Sequence, residues 1–176
     1  MKNVFSMRRR KAYIGRMSNA LKFPPVVQTQ TNWCWAAVTA GVSLFYSKTS
    51  PWTQCLLANK VLHQTTCCAD GSTVACNQPS TYPAALGATG NYDHTIPGPL
   101  DMKGIKAQID ANRPVCGAIK WTINTGHAVV VYGYDGTKNS VWIADPGSGE
   151  SFITLDSLQK NYQGAGKWDQ TYLTKA

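Results

Sequence analysis

One long apolar run constrains the fold of this chain more than any other feature. Residues 34–47 read CWAAVTAGVSLFYS, with the length and the alanine and leucine content of a buried helix. Because the run is apolar around most of its circumference, we expect this helix at the centre of the fold. Asn32 stands near its start as the candidate cap. The 176 residues, 43% of them hydrophobic, suit one globular domain with a core around such a helix.

The remaining patterns divide the chain into a helical half and a strand-rich half. In the first half, the sequence predicts a helix over residues 50–62, with Ser50 as cap and Pro51 at the first helical position. Further segments with a helical pattern are 80–88, 98–112 (with Met102, Ile105 and Ile109 on one face) and 155–163. Short segments rich in Val, Ile and Trp predict strands at 114–121, 127–134 and 140–145, followed by a closing strand at 170–174.

This order indicates an α+β domain of two lobes, a helical lobe at about 24–98 and an antiparallel β lobe at about 99–176. A cleft between the lobes is the natural place for a site. With no run of about 18 apolar residues in the sequence, we expect no membrane span.

The net charge of +8 is concentrated at the amino terminus. Residues 1–23 contain seven basic residues and no acid, whereas residues 24–176 contain the other ten basic residues and all nine acids. We interpret residues 1–23 as a flexible, solvated basic arm; the functional alternatives are a nucleic-acid tether, a membrane-surface contact and an export signal. No basic patch interleaved with aromatic residues continues into the body, which argues against nucleic-acid binding as the main activity. The arm also lacks the apolar segment of a recognisable signal peptide.

Four of the six cysteines cluster in one stretch, a density that is uncommon in a reducing cytosol and favours export. They could form two disulfides, stay free, or bind a metal together with His63, although their spacing matches no standard zinc pattern. Adjacent cysteines would hardly bridge each other, which leaves two of the three pairings. Cys116 lies apart in an apolar run and is expected in the core. The four clustered residues are Cys55, Cys67, Cys68 and Cys76.

Cys34 stands where the central helix begins. The partial positive charge at a helix amino terminus favours a thiolate, which is the nucleophilic form of cysteine. The alternative is a packing role beside Trp33 and Trp35, for which we expect positions in the core.

A nucleophilic thiolate needs a base, and His127 is the best candidate among three histidines. His63 and His94 lie in loop-like contexts, whereas His127 opens the strand HAVVVYGY and should project into a cleft. If the hairpin that follows is centred on Gly136, His127 lies directly opposite Asp145, with the two Cβ atoms about 5 Å apart. A carboxylate placed there can accept the imidazole N–H and fix its tautomer.

Gln28, six residues before Cys34, is the candidate for a second donor to a developing oxyanion, together with the Cys34 backbone N–H. Gln30 competes for this role from two residues further on.

These residues resemble the papain-like cysteine peptidases. QTQTNWCWAA, GHAVVVYGY and WIADP place glutamine, cysteine, histidine and a carboxylate in that family's chain order, and the resemblance covers about residues 25–174. It is to compact bacterial members: the papain-like type III effectors of plant pathogens, and relatives of the bacteriocin-leader (double-glycine) peptidases. The cysteine-rich block WTQCLLANKVL…CCADG…ACNQP also resembles a feature of that group.

The resemblance implies a cysteine endopeptidase that works through a thioester acyl-enzyme. Its triad would be Cys34, His127 and Asp145, with Gln28 in the oxyanion hole, and it would need neither a cofactor nor a metal. Asp145 stands where papain has asparagine, but the bacterial relatives commonly use aspartate. The arm is much shorter than an inhibitory papain pro-segment, and no ATP-binding or membrane region follows, so neither that mode of control nor the transporter-fused form is expected.

The implied partner is a protein or peptide substrate, cut by a monomer that is exported by a non-standard route as a secreted bacterial protease or effector. The alternatives are another thiol-dependent acyl transfer, such as glutamine deamidation or transglutamination, and a catalytically inert binding module of the same fold.

Overall fold

A computed structural model describes residues 18–122 and 125–176, which form five helices and seven strands. The helices are α1 (Cys34–Tyr46), α2 (Gln54–Val61), α3 (Tyr82–Thr89), α4 (Met102–Asp110) and α5 (Leu155–Lys160). The strands are β1 (Ser18–Ala20), β2 (Tyr92–Pro97), β3 (Val115–Thr122), β4 (Thr125–Asp135), β5 (Ser140–Asp145), β6 (Gly149–Thr154) and β7 (Lys167–Thr174).

All seven strands belong to one antiparallel sheet. The order is β2–β7–β3–β4–β5–β6. The short strand β1 pairs with Gly133–Asp135 of β4, beyond the residues of β4 that pair with β3. The predicted α+β class with an antiparallel sheet in the second half is therefore confirmed. The sequence analysis missed β1, β2 and β6, and it assigned residues 92–97 to the helical lobe, whereas β2 pairs with β7 in the sheet.

The central position predicted for the long apolar helix is also correct. One side of α1 packs through Ala36 and Ala40 on α2 and α3, where Leu57 of α2 is buried, and the other side packs on the sheet through Val38 and Val42. Trp33 and Trp35 are both 2% exposed, as expected of core residues.

Two predicted helix caps are wrong. The capping position of α1 is Trp33 rather than Asn32, and no side chain caps the helix, so the first N–H groups of α1 have no cap. The next helix begins at Gln54, where the Thr53 side chain accepts from Leu56 N. The Ser50 hydroxyl is bonded instead to the Ser43 hydroxyl, at 2.6 Å, and accepts from Trp52 N at 3.3 Å, ahead of the helix.

The opposite face of the sheet is covered by α4 and α5. Ile105 and Ile109 of α4 are buried against alternate residues of β4, and Met102 packs at the margin, as the predicted helical face requires. Because neighbouring residues of a strand face opposite sides, β4 contributes to both layers of the core.

The clustered cysteines form two disulfides, Cys55–Cys68 and Cys67–Cys76, which is one of the two pairings that the sequence left open. Cys55–Cys68 ties α2 to the loop at residues 66–78, which we call the cysteine loop, and Cys67–Cys76 closes that loop. Cys116 is free and buried in the core, as predicted.

The boundary of the basic arm is corrected by β1. Residues 18–23 belong to the fold: Ser18–Ala20 pairs with Gly133–Asp135 and Phe23 is 8% exposed. A Cβ at Gly133 would lie 2.8 Å from the Cβ of Ala20, so only glycine lets β1 approach this closely. Residues 1–17 lie outside the described residues. Within the described part of the chain, no helix is both long enough and apolar enough to cross a membrane.

Candidate active site

The fold brings the start of α1 next to the end of β5. Cys34 is the first residue of α1, and its free side chain is half-buried. The extended segment before α1 lies against the turn after β5, where Gln28 N donates to Pro146 O at 2.9 Å. The nucleophile candidate and the carboxylate candidate are thereby held on neighbouring segments of backbone.

His127 and Asp145 are in direct contact, with 2.7 Å between Nε2 and Oδ1. Their side chains are 16% and 1% exposed, respectively. The register that led to this prediction is nevertheless wrong: Val131 pairs with Ile143, so His127 lies opposite residue 147 and Asp145 is its diagonal neighbour. Diagonal neighbours two residues apart share a face of the sheet, which is why the contact forms although the direct pairing does not.

The register differs because the hairpin is centred beyond Gly136, which was the predicted centre. Asp135 pairs with Ser140, so the connection spans residues 136–139, and Asn139 takes a positive φ of 48°. A register irregularity between Val131 and Gly133 reduces the resulting offset by one residue, so that His127 and Asp145 stay on the same face of the sheet.

Asp145 is the most heavily hydrogen-bonded carboxylate at this site. Burial by itself would raise its pKa, but hydrogen bonds from His127 and Tyr162 hold the pKa well below its ordinary value, so the group is ionised at neutral pH. Its donors are His127 Nε2 (2.7 Å), Gly147 N (2.7 Å) and Ser148 N (3.1 Å) on Oδ1, and Tyr162 OH (2.6 Å) and Gln163 Nε2 (3.3 Å) on Oδ2.

The sequence analysis missed Tyr162 and Gln163. It placed both residues inside a helix over 155–163, but α5 ends at Lys160 and Gln163 takes a positive φ of 48°. The chain therefore turns back, and both side chains reach Asp145. No motif marks them in the sequence; their role follows from where α5 ends.

The imidazole of His127 is held in its charged form. Burial of the ring would lower its pKa, but hydrogen bonds to Asp145 and Cys34 and the charges of both groups outweigh burial and raise the pKa to about 9. Since Nε2 faces Asp145, the ring has Nδ1 left for the sulfur. A charged imidazole between a carboxylate and a thiol can stabilise a thiolate and later deliver a proton.

Gln28 reaches the site, but its amide hydrogens are engaged. Nε2 donates to the carbonyl oxygens of Gln30 (2.9 Å) and Thr31 (3.0 Å), and Oε1 is buried without a partner. A Cβ at Gly147 would lie 3.7 Å from Oε1 and 3.6 Å from His127 Cε1, so the amide oxygen and the imidazole both lie beside Gly147. As an oxyanion donor, Gln28 would have to release one of its two carbonyl partners.

Gln30, the competing candidate, lies elsewhere. Its Nε2 would be 3.1 Å from a Cβ at Gly71, in the cysteine loop. The structure thus favours Gln28 over Gln30 by proximity to His127.

A buried amide from α2 fixes the backbone on both sides of Gln28. Gln54, which is 8% exposed, accepts from Thr29 N at 3.0 Å and donates to Val27 O at 2.8 Å. Both backbone groups would otherwise lose a partner, so Gln54 sets the path of this segment.

The cysteine loop fixes the turn before Cys34. Asn32 N donates to Asn77 Oδ1 at 3.0 Å, and Asn77 Nδ2 donates to Thr31 Oγ1 at 2.8 Å. The indole of Trp33 donates to Cys76 O at 2.7 Å. The turn before Cys34 is therefore attached to a loop that is itself closed by a disulfide.

Two cavities of about 600 and 640 Å³ lie outside this cluster. The first is lined by residues of α2 and its surroundings, including Trp52 and Leu56, and the second includes Lys120 and Trp121. Neither is lined by Cys34, His127 or Asp145, so the site is identified by its side-chain chemistry and not by cavity size.

Comparisons with known proteins agree with this chemistry. The family model described as the Peptidase_C39 like family matches residues 20–174. A search of curated proteins finds no match.

Solved structures with the same fold include three peptidases. The peptidase domain of Streptococcus ComA, a bi-functional ABC transporter involved in quorum sensing, is 20% identical, with a TM-score of 0.58 over 88% of this chain and 99% of its own. A double-glycine-motif protease from an AMS/PCAT transporter, in complex with the leader peptide, is 18% identical, with a TM-score of 0.52 over 90% and 95%. Xylellain, a cysteine protease from Xylella fastidiosa, is 13% identical, with a TM-score of 0.52 over 92% and 87%. At these identities the likeness shows a papain-like fold.

Proposed function

The chain belongs to the Peptidase_C39-like family of cysteine peptidases, and from that premise we propose that Cys34, His127 and Asp145 are its catalytic triad. The observation that carries the proposal is the position of His127. Its Nε2 lies 2.7 Å from a buried carboxylate, and the free thiol at the start of the central helix is near enough to the ring to help raise its pKa. A nucleophile, a base and a group that orients the base thus stand in the order that acyl transfer requires.

In the first half of the proposed reaction, the Cys34 thiolate attacks the carbonyl carbon of the scissile peptide. The charged imidazole of His127 then protonates the leaving amine, the C–N bond breaks, and a thioester remains. In the second half, His127 takes a proton from water, the hydroxide attacks the thioester carbon, the C–S bond breaks, and the Cys34 thiolate is released with the acid product while His127 is again charged. Asp145 remains ionised throughout and orients the ring.

The oxyanion of each tetrahedral intermediate is assigned to the backbone N–H of Cys34, at the uncapped start of α1. The Gln28 amide is proposed as the second donor, after one of its hydrogen bonds to Gln30 O or Thr31 O has been exchanged for the substrate.

The proposed substrate is a protein or peptide that a monomer cuts internally. One structural neighbour binds a leader peptide, which supports a peptide ligand for this fold. The two disulfides support action outside a reducing cytosol, as a secreted bacterial protease or effector.

The test compares the wild type with Cys34→Ala in two assays. Iodoacetamide at neutral pH should label Cys34 and spare Cys116, because burial raises the pKa of Cys116 and removes it from solvent. A peptide library followed by mass spectrometry should show cleavage products with the wild type and none with Cys34→Ala, while circular dichroism shows that both are folded.

Two outcomes would overturn the proposal. Equal labelling of Cys34 and Cys116 would indicate an inert fold. Release of ammonia from glutamine-containing protein without chain cleavage would indicate a deamidase, which passes through the same thioester.

A further inference from the structure

The phenol of Tyr162 lies on the side of Asp145 that faces away from His127. Its hydroxyl donates to Asp145 Oδ2 at 2.6 Å, whereas His127 is bonded to Oδ1. Tyr162 is only 3% exposed, so this hydrogen bond is shielded from water. The carboxylate is thereby held between a phenol and an imidazole.

The segment around Tyr162 has little freedom to move. Tyr162 N donates to Gly166 O at 2.7 Å and Gly166 N donates back at 2.8 Å, which closes a short loop. The Tyr162 ring stacks on Trp121, with 5.9 Å between centroids. A Cβ at Gly166 would lie 2.6 Å from Ile119 and from Trp121, so glycine is needed for the loop to pack this closely.

Without the phenol, one oxygen of a buried carboxylate would depend on a single long hydrogen bond. The remaining donor to Oδ2 is Gln163 Nε2, at 3.3 Å, whereas Oδ1 keeps its three donors. Removing a short charge-assisted hydrogen bond leaves more negative charge on the carboxylate and makes it more basic. His127 would then face a stronger base.

We propose that Tyr162 is a positioning residue of the triad, whose hydroxyl fixes Asp145 Oδ2 and limits the basicity of the carboxylate that His127 faces. The inference rests on the proposed triad and adds a fourth member that acts through Asp145. Its consequence is that His127 gives up its proton more readily when the leaving amine needs it.

The titratable groups around Asp145 and His127 allow a change in the titration of His127 to be interpreted. The titratable side chains near Asp145 and His127 are Cys34 of α1, Tyr82 of α3 and Tyr162 itself. Burial raises the pKa of both tyrosines, so neither phenol ionises near neutral pH. Cys34 is present both in the wild type and in a variant at Tyr162, so a difference between their His127 titrations can be assigned to Asp145 and its donors.

The experiment is Tyr162→Phe, which keeps the ring on Trp121 and removes only the hydroxyl. The matched control is Tyr132→Phe, which removes a hydroxyl whose hydrogen bond goes to Glu150, at 2.8 Å, and not to Asp145. For Tyr162→Phe we expect kcat/KM to fall roughly tenfold, the size of one charge-assisted hydrogen bond. Tyr132→Phe should match the wild type.

The decisive readout is the titration of the His127 ring, followed by NMR, with His63 and His94 as internal references. Tyr162→Phe should move this titration to higher pH, together with the alkaline limit of kcat/KM. A purely structural role would lower activity or thermal stability and leave the titration in place, and that result, or a shift to lower pH, would overturn the inference. Because the ring titrates whether or not peptide is cut, this readout is independent of the test of peptidase activity.

Discussion

Replacing Asp145 by asparagine tests the electrostatics of the site most directly. An asparagine oxygen in the place of Oδ1 can still accept from His127 Nε2, Gly147 N and Ser148 N, so the ring keeps its orientation. What is lost is the negative charge. The substitution therefore separates orientation from charge.

The magnitude follows from the pKa of His127. Raising that pKa from 6.5 to about 9 corresponds to about 3 kcal/mol of preference for the charged ring. Asp145 is the main source of the increase, through its hydrogen bond and its charge, and the ring is only 16% exposed, so water screens little of it. With Asp145→Asn we expect the alkaline limit of kcat/KM to fall from about 9 toward 7. At pH 8 the charged fraction of the ring, and with it the rate, should then be roughly tenfold lower.

The assay is kcat/KM against pH for the wild type, Asp145→Asn and His127→Ala. Asp145→Asn should retain more activity than His127→Ala, because the amide still orients the ring. Chemical unfolding against pH provides a second measurement. In the wild type, the stabilisation by Asp145, whose folded pKa is lowered, is present above about pH 4 and lost on acidification. The stabilisation by His127, whose folded pKa is raised, is fully present below pH 6.5 and is lost as the pH rises through about 9.

One result would refute this reasoning. If Asp145→Asn kept an alkaline limit near 9, the charge of Asp145 would not be what holds the proton on His127.

The remaining predictions concern the oxyanion donor and the disulfides. Gln28→Ala should lower kcat by roughly a hundredfold with little change in KM, whereas Gln30→Ala should leave both close to wild type; a larger loss for Gln30→Ala in steady-state kinetics would reverse the assignment. The double substitution Cys67→Ser and Cys76→Ser, which opens a loop with a sequence separation of 9, should lower the free energy of unfolding by about 2.5 kcal/mol in urea denaturation. Peptidase activity should also fall at urea concentrations below the unfolding midpoint, because the Trp33 indole is hydrogen-bonded to this loop. An unchanged free energy of unfolding would contradict the prediction.

The sequence predicts the centre of the molecule better than its margins. The helix at Cys34, the buried Cys116 and the strands that become β3, β4 and β5 carry strong apolar patterns, because each is covered on both sides. The missed strands are short or lie at an edge: β6 exposes most of its residues, and the three residues of β1 are too few for a pattern. Whether a short or edge segment forms a strand depends on the strand it pairs with, and the local sequence does not show which strand that is.

The site shows the same division. Cys34, His127 and Asp145 could be found because each lies at the end of a recognisable element. The register between β4 and β5 could not, because the loop length and an irregularity in the strand shift it. Tyr162 could not be predicted as a site residue, because its contact with Asp145 depends on the end of α5 two residues earlier.

The proposed mechanism requires sulfur in two oxidation states in neighbouring parts of the fold. Cys34 would have to remain a thiol to attack a carbonyl, while the cysteine loop, which accepts a hydrogen bond from the adjacent Trp33, is held by two disulfides. A thiol reductant added to reduce an oxidised Cys34 would, at higher concentration, also reduce the disulfides of the cysteine loop that supports it. Activity measured against reductant concentration should therefore rise to a maximum and then decline.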